Sequence, residues 1–122
     1  MDPILVGHAL LAGFFTALAV FFKKKQPSAV NSLFGYRTPF STKNQPVWEE
    51  ANRYSTNAML LVAGLLIAFQ AISYSVIGGL QSFTASGVFL AVASALVVPI
   101  TEIHLRKVFD PNGQRKNASN RF

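Results

Sequence analysis

The sequence predicts an all-α membrane protein: three transmembrane helices, with a short cytoplasmic interfacial helix between the first and the second. Two charge-free blocks and the placement of the basic residues predict it. No Lys, Arg, Asp or Glu occurs in the 20 residues between Asp2 and Lys23, nor in the 45 residues from Asn57 to Thr101. A helix needs about 20 predominantly apolar residues to cross ~30 Å of hydrocarbon. The first block therefore fits one crossing, and the second fits two joined by a tight turn. Zero cysteines exclude a disulfide framework, a thiol nucleophile and a thiolate metal site. The net charge of +6 needs no nucleic acid partner, because cytoplasmic loops of membrane proteins carry excess Lys and Arg.

The first span covers about 4–22 and ends on Lys23, Lys24 and Lys25. A signal peptide would begin with positive charge, which Met1-Asp2-Pro3 does not supply. The triple lysine reads as a stop-transfer anchor, so the span is expected to be retained. The second span covers about 58–77 and the third about 83–101, with Gly78-Gly79-Leu80-Gln81-Ser82 as the turn between them. Paired glycines take up positive φ without steric cost. Pro99 is expected to bend the third helix near its end. A membrane domain over 1–113 and a basic, disordered tail over 114–122 complete the organisation; the cytoplasmic loop is 23–57.

All 11 basic residues fall in segment 23–57 or after Thr101, and none lies at the start or in the glycine turn. The positive-inside rule then puts the N-terminus outside and the C-terminus in the cytoplasm. Each span also carries small residues three or four apart: Ala9, Gly13, Ala17; Gly64, Ala68, Ala71, Ser75; Gly87, Ala91, Ala95. In lipid such stripes allow close backbone approach. They point to a compact bundle, or to one that also forms a homo-oligomer or joins a larger membrane complex.

The polar chemistry is concentrated in 31–57. Asn44-Gln45-Pro46 reads as a helix start with Pro at the first helical position, and helix-forming residues continue from there into the second span. Trp48, Asn52, Ser55 and Met59 share one face, and Glu49 and Arg53 are spaced as an i, i+4 pair. Trp48 and Tyr54 suit an aromatic belt at the membrane surface. Ahead of that helix, Gly35-Tyr36-Arg37-Thr38-Pro39 reads as a specific turn that holds Arg37 near headgroup level. There its guanidinium can grip a phosphate or carboxylate, or neutralise Glu49, Glu50 or Glu102.

The pattern Gly35-Tyr36-Arg37-Thr38-Pro39, a short polar gap, then Trp48-Glu49-Glu50-Ala51-Asn52-Arg53, followed by two spans and a basic tail, resembles the SdpI family of small bacterial membrane proteins. The resemblance covers roughly 4–110. It implies a multi-pass protein of the bacterial cytoplasmic membrane. It also implies an immunity-type role, protecting a cell from a membrane-active peptide toxin, and a signalling role with a cytoplasmic regulator held at the membrane.

The candidate binding set is Arg37, Thr38, Trp48, Glu49, Asn52 and Arg53 from the loop, closed by Glu102 and His104 at the inner end of the third span. Glu102 is also spaced as an i, i+4 ion pair with Arg106. His8 lies near the opposite surface, so it shares no metal or haem with His104. Gln70, Ser73 and Ser75 are expected to make interhelical hydrogen bonds. No catalytic constellation, cofactor motif or metal-ligand spacing is present, so an enzyme is not expected. The expected partners are the lipid bilayer and a peptide toxin or cytoplasmic regulator.

Overall fold

In a computed structural model, which describes residues 2–25 and 35–116, the chain forms three long helices in the order α1 (Pro3–Lys24), α2 (Gln45–Val76) and α3 (Gly79–Val108). All three are long and apolar enough to cross a membrane. At 1.5 Å per residue, the 22 residues of α1 span about 33 Å, close to the hydrocarbon thickness. The 32 residues of α2 reach about 48 Å and the 30 of α3 about 45 Å. Some 15–18 Å of each longer helix therefore exceeds ~30 Å of hydrocarbon. In α2 the polar excess is its first turns, up to Asn57, and in α3 it is the stretch after Thr101, which holds Glu102, His104, Arg106 and Lys107. Because α2 runs antiparallel to its neighbours, both projections emerge at the same end as Lys23–Lys25.

Local signals set the helix boundaries. Asp2 caps α1 by accepting from the Ile4 amide at 2.9 Å, with Pro3 following and Lys23 and Lys24 in the last turn. Those lysines complement the carbonyl end of the helix dipole. Asn44 caps α2 by accepting from the Val47 amide at 3.0 Å. The expected short interfacial helix is not a separate element. Residues 45–57 are the first turns of α2 itself, because nothing after Pro46 interrupts the backbone hydrogen bonds.

The glycine turn is tighter than expected. Gly78 and Gly79 have φ of 71° and 61°, and α3 starts at Gly79, not at residue 83. Leu80-Gln81-Ser82 are helical. Pro99 lies inside α3, which continues to Val108, so the third helix outlasts the span expected for it.

α2 packs against α3 most extensively and α1 packs mainly on α2. The small-residue stripes do not form these seams. Ala9, Gly13, Ala17, Gly64, Ala68, Ala71, Ser75, Gly87, Ala91 and Ala95 are all exposed, and a Cβ at Gly13, Gly64 or Gly87 would meet no atom within 4 Å. The seams use serine instead. Ser73, Ser82 and Ser86 are buried, and their hydroxyls donate to the carbonyls of Gln70, Gly79 and Ser82 in their own helices. A serine satisfied in this way is nearly as small as alanine and leaves no polar group open. Gln70 does bridge helices, donating to the His8 carbonyl at 3.0 Å. Ser73 and Ser75 bond within α2.

The apolar core at the basic end comprises Phe40, Val47, Ala51, Leu105 and Phe109, flanked by Tyr36 and Val108. Beyond α3, Asp110 organises a turn: its side chain accepts from the amides of Asn112 and Gln114. The chain then doubles back, with the Lys116 amide donating to Val108 and Arg115 over the Phe109 ring. Gln114–Lys116 take part in this pairing, and the rest of the tail expected to be disordered lies outside the described residues.

Candidate functional site

At the basic end, the segment 35–44 crosses the tips of α2 and α3 and is held to both. Gly35 supplies a positive φ of 101°, which starts the turn. The Tyr36 amide then donates to Asn52 Oδ1 at 2.8 Å, and Asn52 Nδ2 donates to the Trp48 carbonyl at 2.9 Å. Asn52 is 2% exposed and Trp48 is fully buried. The two residues therefore anchor the segment from below, and neither presents a surface to a ligand. Trp48 is not a belt residue.

On the α3 side, Glu102 is the receiving group. The Tyr36 hydroxyl lies 3.2 Å from Glu102 Oε2 and 3.1 Å from the Val98 carbonyl, and the Thr38 hydroxyl is 3.2 Å from the same carboxylate oxygen. Burial, reinforced by the Glu102 charge, pushes the Tyr36 phenol well above its ordinary value, so it remains a donor at any physiological pH. Thr38 and Ser41 lock the turn reciprocally. The Thr38 amide donates to Ser41 Oγ at 2.7 Å and the Ser41 amide to Thr38 Oγ1 at 3.1 Å. The expected ion pair between Glu102 and Arg106 does not form. Glu102 is turned to the segment, and Arg106 lies 5.0 Å over the face of Phe40.

A second cluster joins α2 directly to α3. Glu50 receives a two-pronged contact from Arg53, at 3.1 and 2.6 Å, and a third from His104 Nε2 at 2.5 Å. The Tyr54 ring stacks on His104, 3.9 Å between centroids and 7° from parallel. Burial opposes ionisation of Glu50, yet the contacts from Arg53 and His104 outweigh it and hold the carboxyl below its ordinary value. The expected Glu49–Arg53 pair is thus replaced by Glu50–Arg53. Glu49 accepts from Gln45 at 3.0 Å and faces solvent. Spacing allowed either carboxylate; His104 on the neighbouring helix decides between them.

The structure therefore divides the eight candidate residues. Thr38, Glu102 and His104 are partly accessible within the two clusters, Arg37, Glu49 and Arg53 are exposed, and Trp48 and Asn52 are buried supports. Tyr36, Ser41, Glu50 and Tyr54 complete the constellation, although the sequence reading placed none of them in it. The G-Y-R-T-P turn carried the signal for Tyr36; Glu50 carried none that distinguished it from Glu49. Asn44 ties the segment to the last turn through Gly113, donating to its carbonyl at 2.8 Å, and Lys23 joins α1 to α2 at Asn57. Among the described residues no three His, Asp or Glu side chains converge on a metal site.

Most of this constellation, from Tyr36 to Glu102, lies within the part of the chain that a family model recognises, and His104 lies just beyond it. The SdpI/YfhL protein family matches residues 29–102, more than half of the chain. The chain belongs to the SdpI/YfhL family. It is similar to the uncharacterized protein YfhL of Bacillus subtilis (strain 168), at 33% identity over 94 residues, covering 77% of this chain and 81% of that protein. No solved structure matches it. With three helices long and apolar enough to span, this SdpI/YfhL member is a multi-pass membrane protein.

Proposed function

We propose that this SdpI/YfhL protein is a membrane-embedded binding protein of the immunity type, which protects its cell from a membrane-active peptide toxin and relays a signal to the cytoplasm. The carrying observation is the constellation above. Both family-like motifs, Gly35–Pro39 and Trp48–Arg53, fold onto one end of the bundle and expose Arg37 and Arg53 beside partly open Glu102 and His104. Trp48 and Asn52 position this surface. Basic groups at headgroup level suit an anionic partner. Every lysine and arginine among the described residues lies at that end of the bundle, which supports placing it in the cytoplasm with the N-terminus outside.

The test is survival. A strain lacking the gene is challenged with a panel of membrane-active peptides, then complemented with the wild-type chain, Arg37→Ala or Trp48→Ala. The reading expects wild-type complementation to restore survival and both variants, at normal expression, to restore it poorly. Equal sensitivity of the deletion strain and its parent to every peptide counts against it.

A second reading, an accessory subunit of a larger membrane complex, is favoured by one observation: the small-residue stripes of all three helices face outward. Stoichiometric copurification with a large partner in gentle detergent would select it.

A further inference from the structure

Below the Tyr54–His104 stack, α2 and α3 flank a groove of about 380 Å³. Its walls include Leu61 and Leu65 on α2 and Ala93, Leu96 and Ile100 on α3, while its polar lining, Tyr54 and Asn57, sits at one end alone. Leu61, Leu65, Leu96 and Ile100 are each 46% exposed or more, so the groove opens outward to the lipid. From Tyr54 to Leu65 the α2 wall runs about 17 Å. That is close to the depth of one leaflet of a hydrocarbon core ~30 Å thick. A partner helix crossing the whole membrane would need a wall about twice as long.

The polar end meets cations from all three helices. Asn57 accepts from the ammonium of Lys23, in the last turn of α1. Arg53 lies one turn before Asn57 on the same face of α2. Its side chain is 53% exposed, and it sends two contacts to Glu50 from a guanidinium's five donors. On α3, His104 stacks on Tyr54, and Lys107 is exposed about one turn further on. Glu50 is the opposing carboxylate, and Arg53 and His104 already hold it. The charge at this end is therefore in positive excess. Apolar walls one leaflet deep beneath a cationic rim have the polarity of a single lipid, acyl chain below and anionic headgroup above. Basic pockets between membrane helices take such headgroups.

We propose that the α2–α3 groove binds one anionic phospholipid, with an acyl chain against Leu61, Leu65 and Leu96 and its phosphate between Lys23 and Arg53. The site shares Arg53 with the docking surface described above but does not rest on the toxin reading, since lipid retention is measured with no toxin present.

The test uses the full chain in a maltoside detergent with equal amounts of dioleoyl phosphatidylglycerol and dioleoyl phosphatidylcholine, and native mass spectrometry counts the lipid retained. The natural chain should keep a single phosphatidylglycerol in preference to phosphatidylcholine. A cation at the membrane surface favours anionic lipid by about fivefold, so Lys23→Gln and Arg53→Gln should each lower that preference about fivefold. Ala93→Phe fills the groove with every charge in place and should abolish retention of either lipid. Lys43→Gln removes the same charge beside Phe40, away from the groove, and should leave the preference unchanged. Lys23 belongs to α1, so Lys23→Gln keeps the inference testable if a variant within the α2–α3 seam folds poorly. Equal retention of the two lipids, or an equal loss with Lys43→Gln and Lys23→Gln, would overturn it. So would displacement of the lipid by soluble glycerol phosphate at equal concentration, or a dimer of the chain that Ala93→Phe takes apart.

Discussion

Glu102 and Glu50 are two carboxylates on or beside the same helix pair, yet their neighbours give them different work. Glu102 gathers the Tyr36 and Thr38 hydroxyls, so it holds the connecting segment down. Glu102→Ala leaves the Thr38 hydroxyl without its acceptor and the Tyr36 hydroxyl with the Val98 carbonyl alone, a loss of about 1–3 kcal/mol. Thermal unfolding in detergent should show it, with Glu102→Gln clearly milder because an acceptor remains. Glu50 holds α2 to α3 through His104, and its carboxyl titrates below its ordinary value, since the contacts from Arg53 and His104 outweigh the opposing effect of burial. Its folded pKa is therefore lower than its unfolded one. The stability it contributes is complete above the ordinary glutamate value, about 4.3, and disappears as pH falls through the depressed folded value. Melting temperature followed downward from pH 7 should fall more steeply below that point in the natural chain than in Glu50→Gln. Parallel curves would remove Glu50 from the account.

At the scale of the elements, capping residues link pieces that the spans alone would leave independent. Asn44 caps α2 and also donates to Gly113, whose φ of +83° suits glycine and whose Cβ, if present, would lie 2.7 Å from Asn44 Nδ2. Asn44→Ala loses an N-cap of about 1 kcal/mol and the tie to the last turn with it. Gly113→Ala should destabilise by about 1–2 kcal/mol through backbone strain, with the Asn44 clash added. Together the pair should be less than additive, because both disrupt one contact; a chemical-denaturation cycle measures this. The three spans, the Asn44-Pro46 start and the glycine turn were legible because each rests on a local signal: apolar length, a capping side chain, a positive φ. The length of α3 past Pro99, the choice of Glu50 over Glu49 and the partner of Glu102 were not. Each is decided by a residue more than 50 positions away, or by a helix that packing sustains through a proline. The outward turn of the alanine and glycine stripes was hidden for a similar reason. Serines satisfied by their own helices serve the seams equally well, and composition does not rank the two.

For the whole molecule, the arrangement is one of opposed ends. Lysines, arginines and both carboxylate clusters crown one end. The other is nearly neutral and keeps His8, Gln70 and Ser82 inside the bundle. The proposed cytoplasmic docking surface requires the basic end to face the cell interior, as does the assignment of the glycine turn to the outside. Single-cysteine labelling in intact cells tests this most directly, with Lys43→Cys and Gln81→Cys placed in the otherwise cysteine-free chain. A membrane-impermeant maleimide should modify Gln81→Cys at once and Lys43→Cys only after permeabilisation. Immediate modification of Lys43→Cys, with Gln81→Cys protected until the membrane is opened, would contradict the account.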